Sequence, residues 1–172
     1  MKNIGIFSIL LIVSIYLLGL FSVKEIYTEI VIEAPASVVW EHLVSFKQYP
    51  NWNPFLRSVD GVAAEGEPLK VVVQPLNENP LTFKPILLTV EKNNELKWLG
   101  RFICPGFFDS EHTFTLMKLS ETRVKFVQKE SFRGFLAFLL WDTVEQRLTK
   151  GFYAMNRSLK HISEAVVQKE NV

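Results

Sequence analysis

The residues best suited to chemistry are His112 and Glu130. Each lies in a stretch that alternates apolar and polar side chains. Phe108, Ser110, His112, Phe114 and Leu116 would share one face of a strand, and Val124, Phe126, Gln128, Glu130 and Phe132 one face of the next. A hairpin centred on Glu121 pairs 112 with 130, 114 with 128 and 116 with 126. Residues directly opposite on one face have Cβ atoms about 5 Å apart. Imidazole and carboxyl would then be neighbours on an otherwise apolar surface. A carboxyl in that setting needs a partner, and an imidazolium would serve. Four readings stay open: the pair orients a polar group of a ligand, it performs acid–base catalysis, it is a structural buried ion pair, or it is exposed because the register differs by one.

The rest of the inventory excludes more than it offers. His42, His161 and the single Cys104 do not stand at ligand spacing, so no metal site is expected. The glycines are isolated, without a phosphate-cradling loop, and there is no nucleophile elbow. No cofactor is expected, and Cys104, in a Pro-Gly turn, reads as an inert thiol. Aromatics are plentiful at 13% of 172 residues, with 14 Phe and 4 Trp. Trp52 and Phe55 suit a cavity mouth or the core. Trp98, Phe102, Phe114 and Phe126 suit walls shared by core and cavity, and Gln128, Phe132 and Trp141 complete the set expected to meet a ligand. The net charge is +1, and without Lys2 the chain is neutral. A neutral body argues against nucleic acid, which is normally met by a basic face.

The elements that must position these side chains begin after an apolar leader. Residues 4–23, IGIFSILLIVSIYLLGLFSV, carry no charge. As a helix they would span about 30 Å, the thickness of a bilayer's hydrocarbon core. The run reads as an uncleaved single-pass anchor within residues 1–25. A cleaved signal peptide and a buried soluble helix are the alternatives; the end of the run lacks a good small-x-small cleavage site. Lys2 slightly favours an extracytoplasmic domain.

The body, residues 26–168 with a short tail at 169–172, alternates from Ile26 to Glu33 as a strand. A helix from about Val38 to Phe46, capped by Ser37, follows. Tyr49–Phe55 is a proline-bounded aromatic turn. Strands are expected over 57–64, 69–75, 82–92 (with Pro85 at an edge or bulge), 95–103, 107–118 and 123–132, with Asn93-Asn94 turning one hairpin. From Phe135 to about Gln168 apolar residues recur at helical spacing, and Leu136, Leu140, Val144 and Leu148 should face the sheet. Strands in series with helices at the ends indicate an α+β fold, a curved antiparallel sheet wrapped around a long C-terminal helix.

The ordered set Ile32-Glu33-Ala34-Pro35-Ala36-Ser37, Tyr49-Pro50-Asn51-Trp52-Asn53-Pro54-Phe55, Glu95-Leu96-Lys97-Trp98-Leu99-Gly100, Glu111-His112-Thr113-Phe114, Glu130-Ser131-Phe132-Arg133-Gly134 and Ala154–Lys160 resembles the SRPBCC, or START-like, superfamily and within it the polyketide cyclase/dehydrase-like group. The resemblance implies a helix-grip fold with a deep apolar cavity between sheet and helix. It implies a binding module for a hydrophobic or amphipathic small molecule or lipid, or, alternatively, a cyclase- or dehydratase-like enzyme using His112 and Glu130. A fold shared by carriers and enzymes cannot choose between them.

Overall fold

The computed structural model describes residues 22–75, 79–102 and 105–170, together with Ser8 and Ser14. The anchor expected over 4–23 therefore lies outside the described residues except for Ser8, Ser14, Ser22 and Val23, and Cys104 and residues 171–172 lie outside them too. Among the described residues no helix is long and apolar enough to cross a membrane.

The first strand, β1 (Val23–Ile32), starts three residues before the expected position, directly at the end of the apolar run. Helix α1 (Ala36–Val44) follows, with Pro35 at its N-cap and no side-chain cap bond; Ser37 lies inside the helix, so the expected serine cap is not formed. Proline suits a helix entrance because its fixed φ matches and its missing N–H is not needed there. The aromatic turn is a single helical turn, α2 (Tyr49–Trp52). Buried Asn53 ends it: its Oδ1 accepts from the backbone N–H groups of Phe55 (3.0 Å) and Leu56 (2.8 Å), steering the chain into the next strand.

Seven further strands follow: β2 (Leu56–Asp60), β3 (Lys70–Val73), β4 (Leu81–Phe83), β5 (Ile86–Glu91), β6 (Glu95–Phe102), β7 (Phe108–Ser120) and β8 (Arg123–Arg133). They form two antiparallel sheets, β1-β8-β7-β6-β5 and β2-β3-β4. The single strand expected over 82–92 is two strands in different sheets. Pro85, with no N–H to give a ladder, stands at the break and accepts from Leu69 N–H (2.8 Å). A Pro68–Ile86 bridge and bonds from Leu87 N–H to Glu67 O and Gly66 N–H to Leu87 O tie β5 to the segment that leads into β3. Asn93 takes positive φ in the β5–β6 turn, as its residue type allows.

The C-terminal helix is kinked rather than continuous: α3 (Phe135–Leu139), a turn at Leu140, then α4 (Trp141–Glu170). Gly134 makes the sharp entry. Its φ is +108°, and a Cβ there would lie 2.7 Å from the carbonyl oxygens of Gly106 and Phe107. Helix α4 grips β1 through polar bonds as well as apolar contacts. Asn156 Nδ2 donates to Thr28 Oγ1 (3.0 Å) inside the core, and Lys160 Nζ donates to Val31 O (2.8 Å). The core between sheet and helix holds Ile32, Leu43, Tyr49, Phe114, Phe126, Phe152, Met155 and Leu159, all fully buried.

Candidate functional site

A cavity of about 410 Å3 lies between the two sheets and the α3–α4 helix. Its floor is the inner face of three long strands: Trp98, Gly100 and Phe102 on β6, Phe108, Ser110 and His112 on β7, Glu130 and Phe132 on β8. The short sheet supplies Val71, Val73, Leu81 and Phe83, and the helices close the space with Leu136, Leu140, Val144 and Leu148. Alternation explains the strand contributions, because every second side chain points inward. The four helical residues recur every fourth position and so lie on one stripe of the helix. Thr82, Thr143 and Arg147 add polar groups to the lining.

The β7–β8 register is the one expected from the hairpin centre: His112 opposes Glu130, Phe114 opposes Gln128, and Leu116 opposes Phe126. His112 is sandwiched by aromatics, stacked on Phe152 at 4.9 Å and 12° and edge-on to Trp98 at 5.4 Å. Its Nε2 lies 3.0 Å from Gln128 Nε2. With the amide in this orientation Gln128 donates, His112 carries its proton on Nδ1, and that N–H faces Glu130 Oε2. The 3.7 Å between Nδ1 and Oε2 exceeds a hydrogen bond.

Burial pushes the imidazole down to about 3. The same desolvation pushes the Glu130 carboxyl up to about 7, with a hydrogen bond from Ser110 working the other way. Desolvation thus works against an imidazolium–carboxylate ion pair on the floor: it favours the uncharged imidazole and the protonated carboxyl. The carboxyl can donate a hydrogen bond, accept one, or exchange a proton with a ligand, while the neutral imidazole holds it in an aromatic frame.

Of the residues expected to meet a ligand, Phe55, Trp98, Phe102, His112, Glu130 and Phe132 line the cavity. The others are close behind or to one side. Gln128 backs His112, Phe114 and Phe126 stack on each other (6.1 Å, 10°), and Trp141 packs edge-on against Phe132 (5.8 Å). Trp52 packs against Tyr49 (5.0 Å), and its carbonyl accepts from the Ser158 hydroxyl. Sequence reasoning missed the walls from β3 and β4, and it missed two glycines. Gly100 lines the cavity, and a Cβ there would press on Ser110 Oγ at 3.2 Å. Gly151 sits where α4 meets Phe55, and a Cβ would lie 2.1 Å from that ring. An isolated glycine inside a strand or helix pattern is the available signal for such an approach. Among the described residues no three His, Cys, Asp or Glu side chains come together as metal ligands.

Residues 24–164 match the family described as polyketide cyclase/dehydrase and lipid transport. The chain belongs to this family. Solved structures agree on the fold of this polyketide cyclase/dehydrase-family protein. The ZhuI aromatase/cyclase from Streptomyces sp. R1128 is 16% identical with a TM-score of 0.67, the match covering 85% of this chain and 96% of that one. A START superfamily protein from Mycobacterium smegmatis is 14% identical with a TM-score of 0.65, covering 83% and 98%. Norcoclaurine synthase from Thalictrum flavum, in complex with dopamine and hydroxybenzaldehyde, is 16% identical with a TM-score of 0.62, covering 86% and 88%. At such identities the likeness is one of fold. No curated protein matches the sequence. The domain has the helix-grip fold of the polyketide cyclase/dehydrase family.

Proposed function

We propose that the chain is a membrane-tethered binding module that holds a hydrophobic or amphipathic small molecule, or a lipid, in the helix-grip cavity. The observation that carries this reading is the cavity itself: about 410 Å3, walled mostly by aromatic and aliphatic side chains, with His112, Glu130 and Ser110 as polar groups on its floor. Small-molecule sites commonly enclose about 300–1,000 Å3 with a few convergent polar groups. The apolar run of residues 4–23 supports the tether. Native mass spectrometry of protein extracted in mild detergent is the test. A ligand of defined mass is expected to leave with the chain and to be lost from a Val144→Trp variant, whose indole would fill the space. Protein that emerges bare, and that takes up neither oleate nor a naphthol probe, would overturn the reading.

A second reading has its own support in the Glu130 carboxyl, poised near neutrality and facing the cavity beside a neutral imidazole. A cyclase- or dehydratase-like enzyme would use it to move a proton. Under that reading Glu130→Gln abolishes turnover of a trial β-keto substrate while binding persists. Under the carrier reading the variant changes affinity, and there is no turnover to lose.

A further inference from the structure

Strand β1 starts at Val23, so the apolar run enters the folded sheet without a linker. Neighbouring Cα atoms are 3.8 Å apart, so a membrane helix ending at the bilayer surface would hold that end of the sheet within a few ångströms of it. The partner of Val23 is Arg133, the last residue of β8, and Gly134 turns β8 directly into α3. Asp109 of β7 also pairs with Arg133, and Phe102 of β6 pairs with Phe108. The tether, α3 and the ends of β6 and β7 therefore share one end of the molecule.

That end exposes a cluster of large apolar side chains beside the Arg101–Asp109 ion pair. Phe138 is 40% exposed, Leu139 58%, Leu140 46% and Phe102 52%, and Leu140 and Phe102 also line the cavity. Beside them the Lys24 ammonium sits over the Trp141 ring at 5.7 Å, the pairing of cation and amphipathic ring that suits a bilayer–water boundary. The opposite end of β7 and β8 carries the exposed ion pairs Lys118 with Glu121 and Arg123 with Glu33, with Met117 and Leu119 exposed beside them.

We propose that α3 and the adjoining rim at Phe102 dock on the lipid surface, opening the cavity toward the bilayer so that a ligand passes between membrane and cavity without crossing bulk water. This rests on the anchoring of residues 4–23. The test uses the full chain in phosphatidylcholine–phosphatidylglycerol vesicles, with Cys104→Ser as background and a nitrobenzoxadiazole label on Leu139→Cys or, as the far-end control, Glu121→Cys. Spin-labelled lipids should quench the label at 139 at least twofold and leave that at 121 unchanged, with bluer emission at 139. A carbonate wash of the same vesicles reports the anchor separately. Chain that resists the wash while the label at 139 stays unquenched overturns the docking and leaves the tether standing. Blue emission without lipid quenching means that protein, either the apolar run or a second copy, covers α3, and overturns it too. Chain released by carbonate overturns the tether, and the docking with it.

Discussion

Glu130 is ordinarily a group that ionises near 4.5, and burial in this protein raises it to about 7. Between those values the folded chain holds a proton that the unfolded chain has lost. Its contribution to stability is fully present below 4.5 and is lost as pH rises through about 7. His112 runs oppositely: lowered from 6.5 to about 3, it makes stability rise with pH across that window. Between 4.5 and 6.5 the two slopes offset each other. Glu130→Gln removes only the falling one. The variant should therefore gain on the parent as pH rises from 4.5 to about 7, by about 3 kcal/mol in all, and hold that lead above it. Urea unfolding across the window measures the gap, and a constant gap would mean that the folded protein keeps this carboxyl ionised. The facing of His112 and Glu130 was readable in advance, because alternation and a hairpin centre determine register. Their charge states were not. These depend on how completely Phe152 and Trp98 exclude water from the imidazole, and those rings arrive from elsewhere in the chain.

At the scale of elements, the C-terminal helix has two halves with different duties. Leu140 stands at the kink and is half exposed, whereas Phe152 is fully buried between Phe55 and His112. Leu140→Asp should cost within about 1 kcal/mol in detergent-free thermal unfolding, since a charge there keeps access to water. Phe152→Ala should cost about 3–5 kcal/mol, the usual range for emptying an aromatic site in a core. Equal losses would show that the kinked segment is packed as tightly as the rest. Helical periodicity marked the whole stripe from Leu136 to Val166 but is blind to where the sheet beneath it ends. In the same way the alternation of 82–92 concealed a change of sheet at Pro85, because a period of two is unaltered when the partner strand changes. Gly151 lowers helix propensity by about 1 kcal/mol relative to alanine. Its reason is the Phe55 ring, which belongs to a distant turn.

For the whole molecule, the first strand begins at Val23, which is already laddered to Arg133. A chain beginning at Ser22 should give a single cooperative transition by circular dichroism. One beginning at Glu33 lacks β1 and the Thr28 and Val31 partners of α4, and should lose that transition. If both melt alike, β1 is dispensable to the fold. The pairing of β1 with β8 also has a consequence for the newborn chain. The only strand that β1 pairs with, among the described residues, leaves the ribosome about a hundred residues later. At about 5–20 residues per second this is a wait of about 5–20 s. Throughout it β1 is an unpaired strand of Ile, Val, Tyr and Thr beside an apolar leader, the kind of segment that seeks other edges. The sheet closes only after β8 has been made, so a long-range pairing, the slow kind, is built into where its first strand belongs.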